Sequence, residues 1–158
     1  MLEPIKIEIS RKEFDALSDN EWRKDYFSEE NGGYLATNNK RIAEAAVNGK
    51  EQEKFKKEHE ICLVFARSGL RIRHLEDNKA DGTYDLLCNG IKGDIKKTVS
   101  TNNIIKYASW AKKQQGAEII LFVFEEWNAS FRAIIDELIR KGYHGYYYVC
   151  GVEIVHRY

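Results

Sequence analysis

Apolar residues recur at two different spacings along this chain, and the spacings divide it into strands and helices. Residues 4–9 (PIKIEI) alternate and predict a short strand. Asp19 is placed to cap a helix beginning near Glu21, which Asn31, Gly32 and Gly33 would end. Residues 38–49 have helical composition. Residues 51–68 read as one helix: the charged run EQEKFKKEHE feeds into ICLVFARS, Ile61, Phe65 and Ser68 follow one stripe, and Gly69 stops it. Leu70–Leu75 alternates as a strand, and residues 76–82 form a loop. Tyr84–Cys88 and Ile91–Lys96 are short strands joined by Asn89-Gly90, a pair that accepts positive φ at both turn positions.

A helix over residues 103–115 buries Ile104, Ala108, Ala111 and Gln115. Ile119–Phe124 is an unbroken apolar run, the pattern of a strand covered on both faces. A helix over residues 130–140 and strands at Tyr146–Cys150 and Val152–His156 complete the series. This order predicts an α/β (mixed α+β) fold, a central mixed β-sheet flanked by helices. Residues 1–35 read as a loosely attached preface and residues 36–158 as the main domain.

Composition narrows the function classes. The chain has 158 residues, 43% apolar and 32% charged, enough for one ordinary globular core. No apolar run approaches the ~20 residues that span a bilayer, and MLEPIKIEISRKEF lacks a signal-peptide pattern. Cys62, Cys88 and Cys150, scattered among apolar residues, read as reduced core cysteines. Trp110 and Trp127 read as structural anchors. The net charge of zero hides a gradient: residues 1–60 carry 14 acids and 11 bases, whereas residues 92–113 carry six lysines against Asp94 alone. That basic stretch suits a polyanion, or is simply a solvated lysine-rich face.

The chemistry-bearing stretch is YDLLCNGIKGDIKK, residues 84–97. Strand alternation puts Asp94 and Lys96 on one face and sends Ile95 to the other, toward the core. A two-residue turn would pair Asp85 with Asp94, and two adjacent carboxylates repel unless a proton or cation lies between them. Magnesium or manganese answers that repulsion, because hard divalent ions take carboxylate oxygens. Such a site would polarise a scissile phosphate, with Lys96 stabilising developing charge or positioning the attacking hydroxide. The plain alternative is a hydrated edge hairpin. Glu60, one turn before Val64, stands at the border of a buried helix face; Glu58 is its rival, and on spacing alone each is more simply a solvated acid. A histidine-based ribonuclease using His74 or His144 is a weaker reading, since the histidines show no metal-binding spacing.

HEICLVFARSGLRI, YDLLCNGIKGDIKK and the helix ending KKQQ before AEIILFVF together resemble the PD-(D/E)XK nuclease superfamily. They are most similar to toxin nuclease domains of contact-dependent inhibition and related polymorphic toxins, several of which cleave transfer RNA. The likeness covers about residues 55–124, with Tyr84 in place of the usual proline. It implies a restriction-endonuclease-like core and a catalytic set of Glu60, Asp85, Asp94 and Lys96. Glu60, Asp85 and Asp94 would hold magnesium or manganese, and Lys97, Lys113 and Gln115 (with Gln114 as an alternative) would approach the substrate. It further implies a transfer RNA substrate, a cognate immunity protein, and a cytoplasmic site of action after delivery within a larger secreted toxin. A restriction-like or repair DNase with the same site, and a noncatalytic nucleic-acid or protein-interaction module, are the competing expectations.

Overall fold

The computed structural model describes residues 4–77, 79–98 and 100–158. The fold is mixed α/β, with parallel and antiparallel strand pairing and flanking helices. It comprises two compact units: Met1–Asp77 with Leu86–Gly90, and Asn78–Asp85 with Ile91–Tyr158.

In the first unit the elements are α1 (Pro4–Asp15), β1 (Trp22–Phe27), β2 (Tyr34–Asn38), α2 (Asn39–Ala45), α3 (Gly49–Arg67), β3 (Arg71–His74) and β4 (Leu86–Cys88). β1 pairs antiparallel with β2, β2 parallel with β3, and β3 antiparallel with β4. The strand expected at residues 4–9 is instead the start of α1. Its buried residues, Ser10 and Phe14, lie four apart, the helical spacing. The helix expected from Glu21 is instead β1, whose residues lack apolar alternation because all but one are only partly buried. The boundary expected at residue 35 falls inside β2. Within the supposed preface, Phe14 packs on Tyr34 and Phe27 at ring-centroid distances of 5.1 and 5.5 Å.

α2 and α3 agree with the sequence pattern, each opened by an asparagine side chain accepting a backbone N–H, from Lys40 and Glu51 respectively. Backbones meet closely where β2 begins: a Cβ at Gly33 would stand 1.9 Å from the Ala66 carbonyl oxygen. The Asn89-Gly90 turn has φ of 51° and 83°, as its residues predict.

In the second unit the elements are β5 (Ile91–Thr98), α4 (Ile104–Lys113), β6 (Ile119–Phe124), α5 (Ala129–Arg140), β7 (Gly145–Val149) and β8 (Val152–Arg157). β5 and β7 each pair parallel with β6, and β8 pairs antiparallel with β7. Every residue of β6 is buried, so this strand is the centre of the unit. α4 buries Ile104, Ala108 and Ala111, the expected stripe, with Gln115 just beyond its end and only partly buried. Cys62 and Cys88 are buried as expected, but Cys150 is exposed because it occupies the β7–β8 turn beside Gly151, φ 84°. Among the described residues no helix is long and apolar enough to cross a membrane.

Candidate active site

Asp94 sits in the middle of β5, beside Ile120 of β6, and is wholly buried. Neither of its carboxylate oxygens accepts an aligned hydrogen bond. The compensation is an ion pair, Lys96 Nζ to Asp94 Oδ2 at 2.9 Å. Residues i and i+2 of a strand share a face, so this pair follows directly from the sequence. The side expected to face the core is reversed, however: Asp94 is more enclosed than Ile95, which is only partly buried. A carboxylate removed from water at a cost of several kcal/mol normally collects several donors. Among the described residues Asp94 has one ammonium.

Lys96 is itself anchored, donating to Gln115 Oε1 at 2.8 Å. Gln115 is fixed from the other side by the loop before β4. Thr83 N–H donates to the Gln115 carbonyl at 3.1 Å. A Cβ at Gly82 would come within 2.6 Å of that same oxygen, so only glycine allows the approach. Gln115, expected to touch substrate, thus also positions the lysine.

Asp85 precedes β4 rather than belonging to it, so the expected strand pairing with Asp94 is replaced by another arrangement. Its N–H donates to the Gly93 carbonyl at 3.0 Å, and its Oδ2 accepts the Ile95 N–H at 2.8 Å. These bonds land on both neighbours of Asp94, holding Asp85 against the segment of β5 that bears the buried acid. A side-chain bond to the strand backbone replaces the ladder bond that a strand residue would make. Tyr84 is buried, its hydroxyl donating to Asp81 at 3.0 Å, with Lys79 and Lys92 over its ring at 4.5 and 5.6 Å.

The other expected site residues are more exposed. Lys97 is exposed and pairs with Glu125 at 3.6 Å. Lys113 is exposed in the last turn of α4. Glu60 lies on α3 in the first unit and is exposed. On that helix the inward acid is Glu58, bound by the fully buried guanidinium of Arg41 (Nη2 to both oxygens, 3.3 and 3.4 Å). Burial pushes the Glu58 carboxyl above its ordinary range even with Arg41 beside it.

The first unit holds further buried polar chemistry that the hydrophobic pattern did not announce. Asp25 stands at a β-bulge, where a strand can re-aim a side chain. Its carboxylate accepts from Thr37 Oγ1 at 2.5 Å and Arg23 Nε at 2.5 Å, and lies 3.1 Å from His59 Nε2. Burial pushes Asp25 up, but the bonds from His59, Arg23 and Thr37 outweigh it and hold the carboxyl below its usual range. His74 is buried and stacks on Phe55, and His144 is exposed.

Asp94 and Asp85 offer the oxygen donors that a hard divalent cation takes. One carboxylate is buried with an ion pair but no aligned hydrogen bond, and the second is held against its strand. Magnesium commonly binds through one or two carboxylates, completing its shell with water and substrate phosphate. Among the described residues no three histidine, cysteine, aspartate or glutamate side chains group as a ready-made ligand set. No family model, curated protein or solved structure matches the chain.

Proposed function

We propose that this chain is a metal-dependent endonuclease that hydrolyses phosphodiester bonds, with transfer RNA as the favoured substrate. The observation that carries the reading is the electrostatic state of Asp94: wholly buried, with no aligned hydrogen bond on either oxygen, and answered among the described residues by the Lys96 ion pair alone. The motif D-x-K on β5, an aspartate held beside it, and a following helix that leads to the lysine's partner Gln115 support this reading.

In this reading Asp94 and Asp85 hold magnesium or manganese. When bound, the ion supplies Lewis-acid polarisation of the phosphate and charge neutralisation at the leaving oxygen. Lys96 presents its ammonium beside the reacting phosphate and stabilises the negative charge that grows there. Gln115 keeps that ammonium oriented through its Oε1 bond. The resemblance alone would add Glu60 as a helix acid. Lys97 and Lys113 offer exposed cations for flanking phosphates.

The toxin role, the immunity partner and delivery to the cytoplasm belong to this same proposal and rest on the resemblance. The test is cleavage of purified transfer RNA and of duplex DNA with added magnesium, by the wild type and by folded D94A and K96A variants. Transfer RNA cut by the wild type alone supports the reading. Cleavage of duplex DNA in preference moves the assignment to a restriction-like or repair DNase. Undiminished cleavage in D94A removes the site.

A further inference from the structure

α4 carries no acid, and its buried stripe (Ile104, Ala108, Ala111) leaves a second face turned outward. On that face Trp110 stands between Lys106 at i−4 and Lys113 at i+3, all three exposed. Residues three and four apart on a helix are neighbours, so an indole and two ammonium groups form one continuous patch. Tyr107, also exposed, borders Trp110.

The other two tryptophans contrast with this one. Trp127 stacks on Tyr147 at 5.4 Å and on Phe131 at 6.0 Å, and Trp22 lies beneath the Arg73 guanidinium at 5.8 Å. Trp110 is 56% exposed, and among the described residues no ring or cation contact reaches its indole. An open indole between two cations matches the two halves of a nucleotide, a π-face and a phosphate. Sequence-tolerant single-strand binders use this combination. A base paired within a duplex does not present its face to a side chain.

We infer that the outer face of α4 is a contact surface for single-stranded nucleic acid, on which Trp110 stacks an unpaired base and Lys106 and Lys113 hold the adjoining phosphates. This deepens the nuclease reading, on which it rests for its biological sense, by naming the substrate class: a strand with unpaired bases. The placement serves that reading, because α4 ends at Lys113, two residues before the Gln115 side chain that holds Lys96. Trp110, Lys113 and the Asp94–Lys96 pair belong to the same unit.

The experiment is fluorescence anisotropy of the full chain in EDTA with a fluorescein-labelled single-stranded RNA, and with the same RNA as a duplex. The wild type is expected to bind the single strand more tightly than the duplex. Trp110→Ala weakens that binding by roughly 5- to 100-fold, and Trp110→Phe recovers part of it. Lys106→Ala and Lys113→Ala each reduce the dependence of log K on log salt by roughly 0.7. Equal binding by wild type and Trp110→Ala, no single-strand binding by the wild type, or tighter binding of the duplex would each overturn the inference. Its failure is separable from failure of the nuclease reading. Magnesium-dependent cleavage abolished in D94A but untouched in Trp110→Ala leaves the enzyme and removes the surface. Trp110-dependent binding without cleavage does the reverse.

Discussion

The two units bury charge in opposite ways. In the first, charges withdrawn from water meet several partners of opposite sign, although Arg41 Nε and Nη1 form only ion pairs at 3.9 Å and no hydrogen bond. Arg41 meets Glu58 through two hydrogen bonds and has Glu44 and Asp77 3.9 Å away, and Asp25 is held by Thr37, Arg23 and His59. In the second, Asp94 is buried next to an entirely apolar strand and, among the described residues, pairs with one cation. Networks of the first kind brace a fold, because every member has a partner whose loss would leave a bare charge. A site of the second kind sacrifices stability locally, and proteins retain such sites where chemistry requires them. On the nuclease reading, a bracing charge has several partners of opposite sign and a working charge has few, although both are buried.

The largest expected effect breaks the bracing side of this contrast. Arg41→Ala leaves Glu58 and Asp77 without their guanidinium and is expected to destabilise by about 3–5 kcal/mol, read from chemical denaturation. Asp94→Asn is expected to change stability by less than half of that while cutting cleavage by at least about 100-fold. A stability loss as large as that of Arg41→Ala would make Asp94 another brace.

Asp25 gives the contrast a pH signature. Its carboxyl is held below its ordinary value, so its contribution is complete above the unfolded aspartate value of about 3.9 and disappears as pH falls through the lower, folded value. Asp25→Asn is therefore expected to cost about 1–3 kcal/mol at pH 7, with the deficit shrinking below about pH 4 in denaturation curves. A deficit independent of pH would mean that the carboxylate charge is not what the bulge holds.

Smaller effects sharpen the site. Gln115→Ala frees the Lys96 ammonium and is expected to lower kcat about tenfold with little change in KM or stability. A rise in KM alone would place Gln115 on the substrate instead. Lys97→Ala, at an exposed pair with Glu125, is expected to alter stability by no more than about 0.5 kcal/mol.

Much of this was legible where a pattern ran long enough. α3, α4, β6 and α5 follow from their apolar spacing, and the Asn89-Gly90 turn from its residues. The Asp94–Lys96 pair is a direct consequence of strand alternation. β1 was hidden because the bulge at Asp25 interrupts the alternation of its apolar residues, of which Trp22 and Phe27 pack on the Phe14–Tyr34–Ala36 cluster. α1 was hidden because Ile5, Ile7 and Ile9 imitate a strand, while the buried spacing Ser10–Phe14 is helical. Asp85 was placed in a strand because the turn invited symmetrical pairing, and the side-chain bond to Ile95 that displaces it leaves no periodic trace. Trp110 was readable in principle: it falls off the Ile104–Ala108–Ala111 stripe and between two lysines, yet its size suggested a core residue.

The most direct test is a titration of transfer RNA cleavage against magnesium, run side by side with the wild type and Asp94→Asn and repeated in EDTA. The account predicts cleavage by the wild type that rises with magnesium, vanishes in EDTA and is lost in Asp94→Asn. Cleavage that persists in EDTA, or that Asp94→Asn performs as well as the wild type, would contradict it.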